Sequence, residues 1–439
     1  MNNRTIISLV LAAFVAIGWI NQINNISSQN KTYEENILAA EAYQKKGLYQ
    51  KAIAQYDAAI SIKDTITVRD QWIEAYKQGY EDDVITEKEF GEAYLEACGT
   101  YPQEISYWEG LLELYLSTEN YSAAYSVLGK LERSGAESEK LTMLSNAVRY
   151  SYQISRKILK EVYTSPMGIT TVYDGFAWGA ISAEGEWLYE CDYYFISPFN
   201  TEGDALFMTD KDARLINEEK VVDAIVKQEI SKSRAPADNM LPVQTGDEKW
   251  QYLDCDTGEF LPRTYEEAAV FNNGTAAVNQ DGQWYLTDPE GTPVADTVFD
   301  DIKLHENGEY IYRKIIIASV NGDYGVYTRD GERKYDIPGK NADVYRGSYI
   351  AYQDDNGKWG FVDKTGEIYI SAQFEEARSF SNGLAAVRCG EKWGYIDQTG
   401  TLVIDAQFLD AGYFSDKGVA FVSSVTGEYY KVNLRFGGA

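Results

Sequence analysis

Apolar positions along this chain of 439 residues change their spacing twice. Residues 6–20, IISLVLAAFVAIGWI, form an apolar run without a single charge. From residue 32 to about residue 162 apolar residues recur three and four apart, the spacing of one helix face. Beyond residue 165 they alternate in short runs broken by Gly-containing turns, which predicts strands. The pattern therefore predicts three parts: an N-terminal segment over 1–31, helices over 32–164 and a β domain over 165–439.

In the helical part, Tyr43, Gly47, Tyr49, Ala52, Tyr56, Ala59 and Ile60 fall at helical offsets around a Lys45-Lys46-Gly47 turn. Glycine lets the chain reverse there. Small Ala52 and Ala59 let two helices approach while the tyrosines fill the gap. Trp108, Leu111, Tyr115, Tyr121, Ala124 and Leu128 repeat the arrangement, with Thr118-Glu119-Asn120 as a turn that lacks glycine. Residues 70–102 read as a degenerate third unit, and 138–162 as a closing helix carrying Leu141, Leu144, Val148, Tyr152 and Ile158. These offsets resemble tetratricopeptide repeats. That resemblance implies an α-solenoid whose concave groove binds a peptide or partner protein. A plain spacer is the alternative, and no Lys or Arg clamp for a peptide carboxylate stands out.

The β part repeats itself. Residues 357–374, GKWGFVDKTGEIYISAQF, are echoed at 391–408, EKWGYIDQTGTLVIDAQF. Following the offset from Trp359 and Trp393 recovers eight anchors: Trp178, Ala213, Trp250, Trp284, Tyr324, Trp359, Trp393 and Tyr429. Their spacings run from 34 to 40 residues. Triads recur behind them, Tyr265/Ala268/Phe271, Phe374/Ala377/Phe380 and Phe408/Ala411/Phe414, spaced like a loop or a short helical turn. Residues 217–234 lack the turn residues of the other units and read as distorted or partly helical. The pattern resembles the WG-repeat family of bacterial proteins, whose Trp-Gly pair recurs at Trp178-Gly179, Trp359-Gly360 and Trp393-Gly394. In a strand the two residues face opposite ways. The Trp is expected to fasten each unit internally, and the Gly to leave room for a neighbouring aromatic or backbone. Eight units can close as a propeller-like ring or stack as an open β array. About 35 residues per unit favours three strands each.

The run at 6–20 changes the picture of where the protein sits. It is at the short end for a membrane span and also fits a signal peptide core. No A-x-A cleavage pattern follows, which favours an uncleaved anchor within residues 5–23. Arg4 ahead of the run points the bulk of the chain outside the cytoplasm. A net charge of −28 argues against nucleic acid, which needs a basic stripe. Cys98, Cys191, Cys255 and Cys389 are isolated and imply no disulfide framework.

Chemistry is sparse by comparison. His305, the one histidine, rules out a histidine triad or multi-histidine metal site and reads as a turn residue. No phosphate loop or dinucleotide fingerprint occurs. Asp254 to Glu259 and Asp354 to Gly357 place oxygen ligands beside turn glycines, but strand turns use the same residues. No catalytic, cofactor or metal residue is assigned. The sequence therefore reads as a membrane-anchored, non-catalytic interaction or scaffold protein with a protein or peptide partner at the cell envelope. Cell-wall or glycan binding through exposed aromatic rings is the alternative, and a carboxylate-pair hydrolase a remote one.

Overall fold

A computed structural model describes residues 3–210, 213–215, 220–221, 232–244 and 248–437. The side chains of 3–18, 20, 21, 23, 220 and 221 lie outside that description. The chain divides into two compact units, Met1–Val148 and Arg149–Ala439.

The first unit is helical: α1 Asn3–Gln44, α2 Tyr49–Ile62, α3 Ile66–Glu81, α4 Glu87–Thr100, α5 Ile105–Ser117, α6 Tyr121–Ser134 and α7 Glu139–Arg149. Contacts concentrate between helices adjacent in sequence. The Lys45-Lys46-Gly47 turn separates α1 from α2, with Gly47 in the left-handed region. Glu119 takes the same conformation at the turn without glycine. Local signals start the helices. Thr86 and Glu89 form a reciprocal capping box at α4, and Asn120 caps α6 by accepting from Ala123 N–H. Ala52, Tyr56 and Ala59 of α2, Trp108 and Tyr115 of α5, and Ala124 of α6 are all buried, as is Tyr49; Tyr43 is half-buried. No helix among the described residues is long and apolar enough to cross a membrane. The run at 6–20, on which the anchor expectation rests, lies almost wholly outside the described side chains.

The closing helix expected over 138–162 stops at Arg149. Tyr152–Ile154 is instead a strand, paired antiparallel with Glu428–Leu434 through Tyr152 opposite Leu434 and Ile154 opposite Val432. The long-range partner overrides the local spacing, because the edge of the last sheet would otherwise stay unpaired. This second unit thus starts before residue 165.

Eight antiparallel sheets follow as an eight-bladed β-propeller ring. Blades 1 to 7 occupy residues 161–193, 195–221, 232–265, 267–287, 301–336, 341–374 and 376–408. Blade 8 occupies 410–434 and takes Tyr152–Ile154 as its outer strand. The ring is closed. Besides that strand, Val172 and Ile181 of blade 1 share one cluster with Leu159, which precedes that blade, and with Val419 and Phe421 of blade 8. Ser415 Oγ also donates to Ala183 O at 2.7 Å.

Two expectations are corrected. Among the described residues seven of the eight sheets have four strands; blade 4 has three, with a further segment pairing through bridges at Pro293 and Phe299. A repeat of this length suffices because the first strand of most blades is two residues long, such as Glu376–Ala377 and Asp410–Ala411. The apolar triads are not helical turns either: Phe408 ends the outer strand of blade 7, Ala411 lies in the first strand of blade 8 and Phe414 follows it. Each sequence repeat therefore runs across a blade boundary. The distorted stretch expected at 217–234 lies largely outside the described residues.

Candidate functional site

The repeat anchors are fastenings. Trp250, Trp284, Tyr324 and Trp393 are buried, and Trp178, Trp359 and Tyr429 are half-buried within inter-blade clusters. The glycine beside them answers to backbone. A Cβ on Gly360 would lie 2.5 Å from Ile370 O, and one on Gly394 would lie 2.5 Å from Ile404 O. At both places the outer strand bulges, with its register shifting between Trp359 and Phe361 and between Trp393 and Tyr395. The same shift accompanies Gly179, and a neighbouring one lies beside Gly325. Other residues hold this position beside an outer segment that still pairs. In blade 4, with Tyr285, Trp284 pairs with Phe299 and Thr287 with Pro293. In blade 8, with Tyr430, the outer segment pairs with residues 432–434 and again through Leu159 opposite Tyr429. In blade 3, Gln251 stands beside a register shift and donates to Leu261 O at 2.7 Å.

The centre of the ring is where the blades meet. The loop 303–315 of blade 5 is longer than its counterparts, such as 412–418 in blade 8, and its residues 305–309 reach across. Glu306 Oε2 accepts from Thr164 N–H of blade 1 at 2.8 Å. Its Oε1 lies 3.5 Å from Arg378 of blade 7. Asn307 donates to Phe199 O of blade 2 at 2.9 Å and accepts from Ala235 N–H of blade 3 at 3.1 Å. Gly308 O accepts from Val270 N–H of blade 4 at 2.9 Å. Blades 1 and 5 stand opposite each other in a ring of eight, so one loop can touch both only on the axis. Arg378 also donates to Asp410 at 2.8 Å, Arg346 stacks 4.2 Å from the Tyr413 ring centre, and Tyr413 donates to Asp343 at 2.7 Å.

Several of these central groups are buried and, among the described residues, lack partners: Ser165 Oγ, His305 Nδ1, Glu309 Oε2, and Nε and Nη1 of Arg346. His305 is on a turn, as expected, with Gly308 N–H donating to its carbonyl, but the turn sits at the hub and the ring is only 6 % exposed. Burial, seconded by the Arg346 charge, holds its imidazole well below the usual histidine range. Burial pushes the Glu309 carboxyl up; hydrogen bonds from Thr201 and Asn307 and the Arg346 charge partly offset it. The sequence carried one signal for this loop, because the Trp284-to-Tyr324 spacing of 40 residues is the longest of the series.

On one side the hub opens into a cup of about 300 Å³ between the loops of blades 2 to 5. Glu309, Glu202, Asp204 and Asp238 line it, with Asn200, Asn239, Asn272 and Asn273, and among the described residues no Lys or Arg lines it. Phe271, Leu215 and Pro236 supply apolar wall. Among the described residues no group of three His, Cys, Asp or Glu is arranged to hold a metal ion. The turn carboxylates are used locally: Asp254 Oδ1 accepts from Asp256 and Thr257 N–H, and Asp354 Oδ1 from Asn356 and Lys358 N–H. In the helical unit a shallower groove of about 580 Å³ is lined by Glu41, Gln44, Lys45, Tyr56, Asp70, Gln71, Glu74 and Gln78. Its amides and carboxylates interlock, as where Gln71 donates to Glu41 at 3.2 Å and Tyr56 to Gln44 at 3.1 Å.

These features define a repeat-built β-propeller preceded by a helical array. The repeats themselves match the family described as "WG containing repeat" at residues 178–211, 259–284, 359–393 and 393–424. No curated protein matches the chain. Among solved structures, it is similar to the Neurospora crassa Pan2 WD40 domain at 8 % identity, covering 65 % of this chain and 96 % of that one, with a TM-score of 0.32.

Proposed function

We propose that this protein is a non-catalytic interaction scaffold, tethered to the membrane by residues 5–23 with its bulk outside the cytoplasm. Its partner is a protein or peptide at the cell envelope. The observation that carries the reading is the commitment of the propeller's tryptophan anchors and central loop to holding the ring together. Recognition then falls to the outer faces and to the tetratricopeptide-like groove around Tyr56 and Glu74. Repeat architectures of both kinds supply extended surface in preference to a reaction centre. A photoreactive residue in place of exposed Glu74 should yield one discrete adduct in cells, reproduced with the purified partner. Absence of any adduct there and at sites on the propeller faces would refute the scaffold reading. Protease treatment of intact cells tests the placement, since a bulk domain that stays protected contradicts it.

Glycan binding is the second reading, and its support is narrow: Phe176 of blade 1 and Tyr194 between blades 1 and 2 stand 94 % and 72 % exposed. Retention of the full chain on insoluble cell wall, lost on replacing both with Ser, is the test. Paired-carboxylate hydrolysis is less well supported. The cup does gather acids, but Glu309 Oε1 is already held by Thr201 N–H and hydroxyl, at 2.9 and 3.0 Å. Among the described residues no exposed aromatic ring lines the cup to hold a sugar.

A further inference from the structure

The cup over the propeller hub has a chemistry that the scaffold reading does not use. Among the described residues, four carboxylates line it and no cationic side chain does. Three are partly committed or open to solvent. Asp238 Oδ2 accepts from Gly274 N–H at 2.7 Å, Asp204 Oδ2 accepts from the Asn200 amide at 3.1 Å, and Glu202 is exposed. The fourth, Glu309, differs. It is 6 % exposed, it lines the cup, and its Oε2 has no partner among the described residues although its Oε1 accepts twice from Thr201. An unpaired buried carboxylate oxygen costs several kcal/mol unless something completes it. Arg346, whose charge is felt at Glu309, forms no ion pair with it, and Arg329 donates to the Asn272 side-chain oxygen in the cup wall. The cup thus asks for a group with positive charge and several N–H donors.

The geometry points to an alkylammonium site: we propose that the cup binds a primary ammonium on an aliphatic stem, with Glu309 Oε2 as its innermost acceptor. The Asp238 and Asn239 side chains at the mouth supply further oxygens. Phe271, Leu215 and Pro236 flank the stem. A cavity of about 300 Å³ is at the small end for ligand sites, which suits one amine-bearing chain and not an oligomer. Three N–H donors on a point charge match converging oxygens better than a planar guanidinium does. The amine can be a free small molecule, or a lysine side chain or N-terminus of a polypeptide. The proposal does not depend on the scaffold reading, because partner capture and amine binding can fail separately.

The test is calorimetric titration of the full chain in detergent, at matched ionic strength. The probes are n-butylammonium, N-acetyl-lysine methylamide and glycine methylamide, with butyltrimethylammonium as the control without N–H donors. Saturable one-to-one binding of a primary amine supports the site, and the tightest of the three probes identifies the source. Glu309→Gln keeps the acceptor for Thr201 but puts an amide N–H₂ where Oε2 stood. It should weaken binding about tenfold or more, equivalent to about 1.4 kcal/mol. Asp238→Asn, which suits the left-handed backbone at that residue, is the second variant should the first not fold. Failure of all three amines to bind, equal binding by the trimethyl control, or wild-type affinity in the folded variants would each overturn the assignment.

Discussion

Replacing Gly394 by Ala is a direct test of why Trp is followed by Gly. The added Cβ would stand 2.5 Å from Ile404 O, 2.8 Å from Ala406 N and 2.9 Å from Ala406 Cα. All three are backbone atoms of the outer strand Leu402–Phe408, so no flexible side chain can swing aside. Restoring an ordinary contact of 3.4 Å means moving that strand by roughly 0.9 Å, the difference between the two distances. Overpacking of this kind costs about 1–3 kcal/mol, and loosening one ladder hydrogen bond beside the bulge adds about 1 kcal/mol. The expected loss is therefore about 2–4 kcal/mol, a large share of a stability near 5–15 kcal/mol. Urea unfolding followed by tryptophan fluorescence measures it, since Trp178, Trp187, Trp250, Trp284, Trp359 and Trp393 all report on this unit. The two units need not unfold together, so hydrogen exchange over residues 392–408 should localise the effect. Gly360→Ala should behave alike, and Gln251→Ala should cost less than 1 kcal/mol because a Cβ is already present there. A Gly394→Ala protein within about 0.5 kcal/mol of wild type would refute the reasoning, since that is the scatter of neutral surface changes.

Three further outcomes are expected. His305 has its folded pKa depressed, so as pH falls below its ordinary 6.5 the unfolded chain takes up a proton that the folded chain refuses. Stability should drop by up to about 1.4 kcal/mol per pH unit from that group. Glu309 works oppositely, because its raised folded pKa means the folded chain binds the proton first as pH falls toward 4.5. Urea midpoints across pH 4.5–6.5 should therefore show a flatter acid limb for His305→Gln, and an unchanged slope would contradict a buried neutral imidazole. Changing Tyr152, Gln153 and Ile154 to Gly should weaken the closing strand and speed exchange in Glu428–Leu434 before any other blade; uniform loosening would argue against closure at blade 8. Trp393→Ala, at a side chain 5 % exposed, should cost about 3–5 kcal/mol, whereas Phe176→Ser should leave the melting temperature unchanged.

Much of the architecture was readable because it is written in short-range repetition. The Trp and Tyr anchors at 34 to 40 residue intervals located one long strand of every blade, including the one at Ala213 that has no aromatic. The Gly47 turn and the Ala52/Tyr56/Ala59 face marked the α1–α2 hairpin. What escaped were elements whose reason lies elsewhere in the chain. Two-residue strands such as Asp410–Ala411 have no periodicity to detect and exist only because Val419–Val425 pairs with them. Tyr152–Ile154 has a helical neighbourhood and a strand's partner some 280 residues away, 434 less 152.

The site was the least legible part. Glu309 sits in LHENGEY, which reads as an ordinary polar turn, and nothing local distinguishes it from the chain's other acids. By itself the sequence determined the order of helices then β repeats, the repeat count, and the role of tryptophan as the inner fastening of each unit. Those properties depend on residue spacing, which survives in one dimension. The tertiary structure alone decided that the ring closes, that its blades hold four strands, and that one long loop fills the axis beneath an acidic cup. Each of these depends on which distant segments meet, and closing a ring brings together residues that no local pattern couples.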